Sequence, residues 1–476
     1  MSSLDHGRRE VRSGTSIPPL ALAGFTVSLV NTLPIPLLGT LPELLDTTQT
    51  HAYWTVTATL LVGAMSTPIA GRLGDMYGKR RVLLWCLGSL VAGSVVCGLA
   101  GSVSVLIAGR ALQGCAAGAL PVGLGIMRDR LLAGRRAHGF AAMSAAIGVG
   151  GTVGFPLAAL MAEHADWHAL FWLVAAIGLV NHLLVVFRVP DGGIRHGGRF
   201  DWAGAVTLST GLVCTLLVLS KGQEWGWAGG ATMATALVGT VTISWWARLQ
   251  WQADEPLVNL RLLKDRAMLL ATVATLLIGF AMFALALVIP RVLQSSRATG
   301  YGVELSMVEA GLVLAAAGLA MMLAAPVSVR VAARWRHRGT LLLGCGVVGA
   351  GYALVIPFPG RSDGLVIMGL VTAGVVVGVG LGLAFFAMPA IVAERSPAAE
   401  IAAANGLNAL IRQLGAALCS ALTSAVYANL SIRLPAGDGS QLVFPSRDGL
   451  TVALLAACAA CALAASATAL IPRDTR

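Results

Sequence analysis

Between positions 71 and 81 the chain carries Gly71, Leu73, Asp75, Gly78, Lys79, Arg80 and Arg81, a carboxylate and three adjacent cations framed by glycines. Glycines allow a tight turn, and a carboxylate and cations on such a turn can pair across it or with a neighbouring helix end. Two further arginines, Arg110 and Arg412, lie inside long apolar runs. A guanidinium in hydrocarbon costs about 2.5 to 3.5 kcal/mol on insertion scales, so each must face a cavity, a partner or backbone carbonyls. Of the 22 acidic residues, none falls at the centre of an apolar run. Glu309, about one turn into its run, comes nearest, with Glu43 and Glu394 at run ends. Glu309 is a candidate for proton uptake from outside, and a solvated helix-end acid is the alternative reading. His182 is a weaker relay candidate, since a lone buried histidine is more often hydrogen-bonded structure.

Other apparent motifs dissolve in their settings. Cys458 and Cys461 form a CxxC, but within LLAACAACALAA, where thiols behave as small apolar groups and no second CxxC or histidine accompanies them. The glycine-rich run at 378 to 382 has no strand before it, and with Gly374 it repeats every four residues as a close-packing helix face. Neither HExxH nor GxSxG occurs, so an intramembrane hydrolase is disfavoured and no metal or cofactor is expected.

The elements that position these residues follow from composition. Hydrophobic residues make up 57% and charged residues 12%, with a mean hydropathy of +0.79, far outside the soluble norm of about a quarter charged. A bilayer core needs roughly 20 apolar residues per helix. Fourteen such runs emerge, at 18–39, 52–72, 82–101, 103–127, 137–161, 169–188, 202–220, 229–248, 267–290, 305–327, 340–357, 365–388, 405–427 and 450–471. Arg8, Arg9 and Arg12 precede the first run, which is too long for a signal peptide and reads as an uncleaved span. With the N-terminus inside, six of the 33 Lys and Arg fall in outside loops, two within spans and the remaining 25 inside. That asymmetry places both termini in the cytoplasm. It also accounts for the net charge of +11 through anionic lipid headgroups, without nucleic acid.

Short loops leave no room for an inserted soluble domain. VPDGGIRHGGRFD, between spans six and seven, reads as a boundary. The expected plan is an all-α membrane protein of six plus two plus six spans. Residues 1–17 form a cytoplasmic tail, 18–188 one six-helix bundle, 189–266 a linker with two inserted spans, 267–471 a second bundle, and 472–476 a cytoplasmic end.

The loop at 71–81 resembles the GxLaDrxGrkxxl signature of the major facilitator superfamily, and sits where that family carries it. Arg110, Gln113 and Gly114 resemble its RxxqG element. Gly150, Gly154 and Pro156 resemble its antiporter signature GxxxGP, with Phe155 interposed. WHALFW at 167–172, KGQEWGW at 221–227 and NGLNALIRQLG at 405–415 are similar to the fourteen-helix drug:proton antiporter branch, so the resemblance covers essentially the whole chain. It implies two bundles rocking around a central cavity, with proton entry driving export across a bacterial cytoplasmic membrane. It also implies that Asp75 pairs with cations and faces a helix N-terminus of the opposite half, closing the cytoplasmic side; Arg128, Arg130 and the start of span 13 are the candidates. Arg110 is then a proton-relay arginine, and Gly150, Gly154 and Pro156 form the hinge.

The chain departs from the branch in span one. Where relatives carry an Asp within a LDxTxVNVALP-like stretch, GFTVSLVNTLPIP aligns Thr26 with the acid and keeps Asn31. A cavity with Arg110, Gln113, Asn31 and Arg412 but no central carboxylate has a positive potential, which disfavours cations. The expected partner is therefore a small lipophilic molecule, neutral or anionic, exchanged for protons by a monomer embedded in lipid. Uptake of a metabolite, and a non-transporting sensor or scaffold, are the alternatives.

Overall fold

A computed structural model describes residues 17–33, 37, 41–47, 49–164, 166–190, 199–357, 362–397, 400–435 and 441–472. The expected tails and most of the linker between spans six and seven lie outside these residues.

Apolar segments in lipid must satisfy every backbone polar group internally, which selects helices. The first half contains α1 (Ile17–Thr32), the short α2 (Leu41–Leu44), α3 (Gln49–Tyr77), α4 (Lys79–Gly98), α5 (Val103–Gly114), α6 (Ala119–Arg130), α7 (Ala133–His164) and α8 (His168–Arg188). Next come α9 (Trp202–Trp225) and α10 (Gly230–Gln252). The second half contains α11 (Arg266–Gln294), α12 (Met307–Val355), α13 (Asp363–Arg395), α14 (Ile401–Asn429) and α15 (Arg447–Ala469).

Among the described residues, eleven helices are long and apolar enough to cross a membrane. They count α5 and α6 as one, because only the 3₁₀ turn Cys115–Gly118 interrupts that span. The expected tenth and eleventh spans run together as α12, bent sharply at Arg336, where φ is 58° and ψ is 178°. Such a conformation costs a non-glycine residue roughly 1–3 kcal/mol, and it reverses the chain without a proline or glycine at the bend. α1 is apolar but only 16 residues long, and α10 is not among the eleven. One departure from an all-helical fold is a small antiparallel hairpin, β1 (Ser431–Pro435) with β2 (Gln441–Pro445), pairing Ser431 with Pro445 and Pro435 with Gln441.

Large apolar side chains stand exposed around the outside of the bundle, among them Phe187 at 78% and Leu323 at 66%. On a soluble protein such a surface would aggregate; here it meets lipid. Inside, small residues bring backbones together. α13 packs against both limbs of α12: a Cβ on Gly378 would collide with the Ala317 carbonyl, and one on Gly380 would come 2.7 Å from the Val348 amide nitrogen.

α7 packs along α1 on one side and α12 on the other, and α3 packs against α14. The α7–α12 and α3–α14 pairs join the two halves. α9 lies across the α3/α14 seam, where Ala64, Leu208, Trp246 and Leu410 share one apolar cluster. The segment after α10 straps this seam: Glu255 faces Arg72 at 3.7 Å, and Asn259 Nδ2 donates to Glu400 Oε2 at 2.9 Å.

Candidate functional site

The loop at 71–81 is largely helical. α3 runs through Asp75 to Tyr77, Gly78 turns the chain with φ 106°, and α4 starts at Lys79. A positive φ of that size is open to glycine at no steric cost. The turn brings Lys79 back onto Asp75, with Nζ 3.2 Å from Oδ1. Both side chains are buried, Asp75 at 1% exposure and Lys79 at 7%. Lys79 Nζ also donates to Asp129 Oδ2 at 2.7 Å, so one ammonium bridges two carboxylates from α3 and α6.

Asp75 Oδ2 accepts a hydrogen bond from the Ala403 backbone N–H at 3.1 Å. Ala403 is the third residue of α14, among the four amides a helix leaves without an internal partner. A buried carboxylate of one half thus caps a helix of the other. The expected guanidinium partners are corrected: neither Arg128 nor Arg130 is the cation on Asp75. Successive helical positions point about 100° apart, and in α6 it is Asp129, between those arginines, that faces Lys79. Gly71 is buried in α3; Arg81 is exposed. Arg80 donates from Nη2 to the Val186 carbonyl at 2.7 Å, tying the turn to α8.

Arg110 is fully buried. Its Nε donates to the Thr55 carbonyl at 3.1 Å, and Nη1 to the Val30 carbonyl at 3.1 Å and Gln113 Oε1 at 2.6 Å. Gln113 Nε2 continues to Ser94 Oγ at 2.7 Å. The network joins α1, α3, α4 and α5 within one half and contains no carboxylate, which gives Arg110 a bracing task. Arg110 Nη2 is buried and has no partner among the described residues. Asn31, next to Val30, is exposed and lies outside the network.

Gly150 and Gly154 mark the closest approach of α7 to α1: a Cβ on the first would collide with the Phe25 carbonyl and on the second with the Thr32 hydroxyl. Pro156 is buried within α7, which continues to His164.

Glu309 stands at a helix start. It is the fourth residue of the capping box that starts α12: Ser306 Oγ accepts from the Glu309 amide at 3.2 Å, and Glu309 Oε2 accepts from the Ser306 amide at 2.8 Å. Its exposed carboxylate is occupied at a helix start.

Arg412 has a different setting. Between α6 and α7 of one half and α13 and α14 of the other lies a small cavity, and among the described residues Arg412 is the only charged side chain lining it. The guanidinium sits 4.8 Å from the centroid of Phe385, a cation–π geometry. Among the described residues no carboxylate pairs with it. Ser144, Asn405 and Asn408 also line the cavity. Ser144 Oγ donates to the Gly382 carbonyl at 3.4 Å, linking the halves. Asn408 Oδ1 accepts from Thr275 Oγ1 at 2.7 Å. Asn405 donates to the Ile401 carbonyl at 3.1 Å, which leaves its buried Oδ1 unpartnered. Sequence reasoning found Arg412 and missed the other three, because small polar residues inside apolar runs carry no spacing signal.

Comparison with known proteins agrees along most of the chain. The Major Facilitator Superfamily profile matches residues 20–420. Multidrug resistance protein 3 of Bacillus subtilis is 25% identical over 265 residues, covering 54% of this chain and about half, 52%, of that protein. Multidrug resistance protein Stp of Mycobacterium tuberculosis is 26% identical over 377 residues, 79% of this chain and 68% of Stp. The tetracenomycin C resistance and export protein of Streptomyces glaucescens is 24% identical over 379 residues, 79% and 69% of the two chains. In fold, the chain is similar to the human organic anion transporter MFSD10, with a TM-score of 0.64 at 16% identity, over 97% of this chain and 99% of the other.

Proposed function

The chain belongs to the Major Facilitator Superfamily and is a multi-pass membrane transporter, not an enzyme; from that premise we propose that it exports a small amphipathic compound, neutral or anionic, in exchange for protons. Six spans over 18–188, two inserted spans within 189–266 and six over 267–471 make the fourteen-span plan, with both termini and the Asp75 end cytoplasmic. The protein works as a monomer in the bacterial cytoplasmic membrane.

The observation that carries the substrate class is the cavity between the halves, whose one charged lining group among the described residues is Arg412. An unpaired guanidinium beside an aromatic ring and amide groups stabilises an anionic or hydrogen-bond-accepting ligand and repels a cation. The multidrug and antibiotic export names of the relatives support the outward direction.

Alternating access needs an element with two arrangements, and the Asp75 contact to α14 supplies one of them. Among the described residues Asp75 is the only buried carboxylate. Protonating it removes the charge that holds both Lys79 and the Ala403 amide, and so loosens that end. Gly71, Gly78, Lys79, Arg80, Arg81 and Arg130 shape the same gate, while Gly150, Gly154 and Pro156 let α7 slide on α1.

The test is uptake of fluorescein, an aromatic anion, into everted vesicles carrying an imposed pH gradient. Gradient-driven uptake abolished by a protonophore, and reduced at least tenfold by Arg412→Gln, is expected. Preference for ethidium over fluorescein would overturn the substrate class, and uptake indifferent to the gradient would overturn the coupling.

A further inference from the structure

A second, larger cavity lies at the Asp75 end, with about 650 Å³ of empty space. Arg128 and Arg136 line it from α6 and α7, His337 and Glu394 from α12 and α13, so it too is shared by the two halves. Phe140 lines both this vestibule and the central cavity. One buried aromatic ring therefore stands in the wall that the two spaces have in common.

The charges in the vestibule do not cancel. His337 Nε2 meets Glu394 Oε1 at 3.2 Å, which engages the one acid in the lining. Asp129, beside Arg128 in sequence, has its carboxylate on Lys79. Arg136 Nε donates to the Leu131 carbonyl at 3.0 Å. Two nitrogens on opposite walls are buried and have no partner among the described residues: Arg128 Nη1 and His337 Nδ1. Buried polar atoms of this kind are normally satisfied, so a ligand atom met by a small rotation of either side chain would be stabilised.

We propose that this vestibule is a capture site for an aromatic hydroxy acid, a compound carrying an anionic oxygen and a hydroxyl on apolar rings, ahead of the central cavity. Arg128 takes the anionic oxygen. With Nε2 donating to Glu394, His337 Nδ1 is the acceptor nitrogen and takes the hydroxyl proton in a hydrogen bond. Phe140, Ala390 and Ala393 supply the apolar wall for the rings. This site rests on the export reading for its purpose but not for its existence, since binding is measurable without transport.

The experiment uses the full-length protein in lipid nanodiscs, with fluorescein as the probe and anisotropy as the readout. It is run in Arg412→Gln protein, which lacks the central cation, so that binding reports the vestibule. Fluorescein is expected still to bind there. Arg128→Gln should weaken it at least tenfold, His337→Phe at least threefold, and Arg128→Lys should keep it within threefold, showing that the loss is of charge and not of fold. The cation rhodamine 6G should bind at least tenfold more weakly than fluorescein. Fluorescein binding that is absent from Arg412→Gln protein, or unchanged by Arg128→Gln, overturns the vestibule. Wild-type protein that binds fluorescein through Arg128 yet fails to transport it in vesicles leaves the vestibule standing and overturns the export reading.

Discussion

The carboxylate of Asp75, near the end of α3, accepts a hydrogen bond from the amide of Ala403, 328 residues later in the first turn of α14. Negative charge near a helix N-terminus is favoured by roughly 0.3–1 kcal/mol at the surface and up to about 2 when partly buried. A contact of that size can bias a nearly balanced pair of conformations without locking either one. Its surroundings point the same way. The bridging Lys79, helix α9 and the strap through Asn259 all bear on the α3/α14 seam.

Replacing Asp75 by Asn keeps the shape but not the charge. The amide oxygen can still accept from Ala403, whereas its NH₂ group opposes the Lys79 ammonium, donor against donor. We expect the maximal export rate in vesicles to fall about tenfold, corresponding to about 1.4 kcal/mol, with folded yield unchanged. Initial rates within twofold of wild type would show that the contact does not set the closed state.

The sequence reading reached the acid of this contact and the helix it meets, because a carboxylate, a turn glycine and cations are packed into eleven positions of the chain. It missed the cation. Lys79 was present in the motif, but that it folds back across Gly78 onto Asp75 depends on the turn geometry, and Asp129 was hidden between two arginines. The placement of Glu309 at a helix start is legible in the sequence. Ser306 three residues ahead of it is a capping-box signature readable without a structure. The cavity around Arg412 lay beyond the sequence, since Ser144, Asn405 and Asn408 converge only after α7 and α14 pack.

Arg110 distinguishes a brace from a relay. A lysine carries the charge but cannot reach the Thr55 and Val30 carbonyls and Gln113 Oε1 together, because it lacks the planar fork. Each buried acceptor left unpaired costs about 1–3 kcal/mol. Arg110→Lys should therefore lower the thermal midpoint of the purified protein by several degrees, with Gln113→Leu having a smaller effect. An unchanged midpoint combined with lost proton coupling would return Arg110 to the relay role.

The loop before α12 should ignore pH across the range in which the transporter works. Hydrogen bonds from the Ser296 hydroxyl, at 2.6 Å, and the Arg297 amide, at 3.0 Å, hold the Glu304 carboxyl below its ordinary range. A depressed value means that the stabilising contribution is present above the unfolded pKa of about 4.3 and is lost as pH falls through the folded value. Hydrogen exchange at the Arg297 amide, corrected for its intrinsic pH dependence, should show constant protection from pH 7 to 5 and a loss only as pH falls below the ordinary glutamate range. Loss between pH 7 and 5 would contradict this.

Glu400 is the N-cap residue of α14, and Asn259 of the strap holds its carboxylate at 2.9 Å. The cap therefore stands three residues before Ala403, within reach of the same free amides that Asp75 uses. Cutting the Asn259 contact releases a second acid to compete for them. A hydrogen bond is worth a net 0.5–1.5 kcal/mol, so Asn259→Ala should change the exchange rate of the Ala403 amide by about two- to tenfold. Because both contacts converge on one helix start, Asn259→Ala and Asp75→Asn should also fail to add when combined. Strictly additive effects would separate the strap from the gate and leave the inserted helices as a lipid-facing appendage.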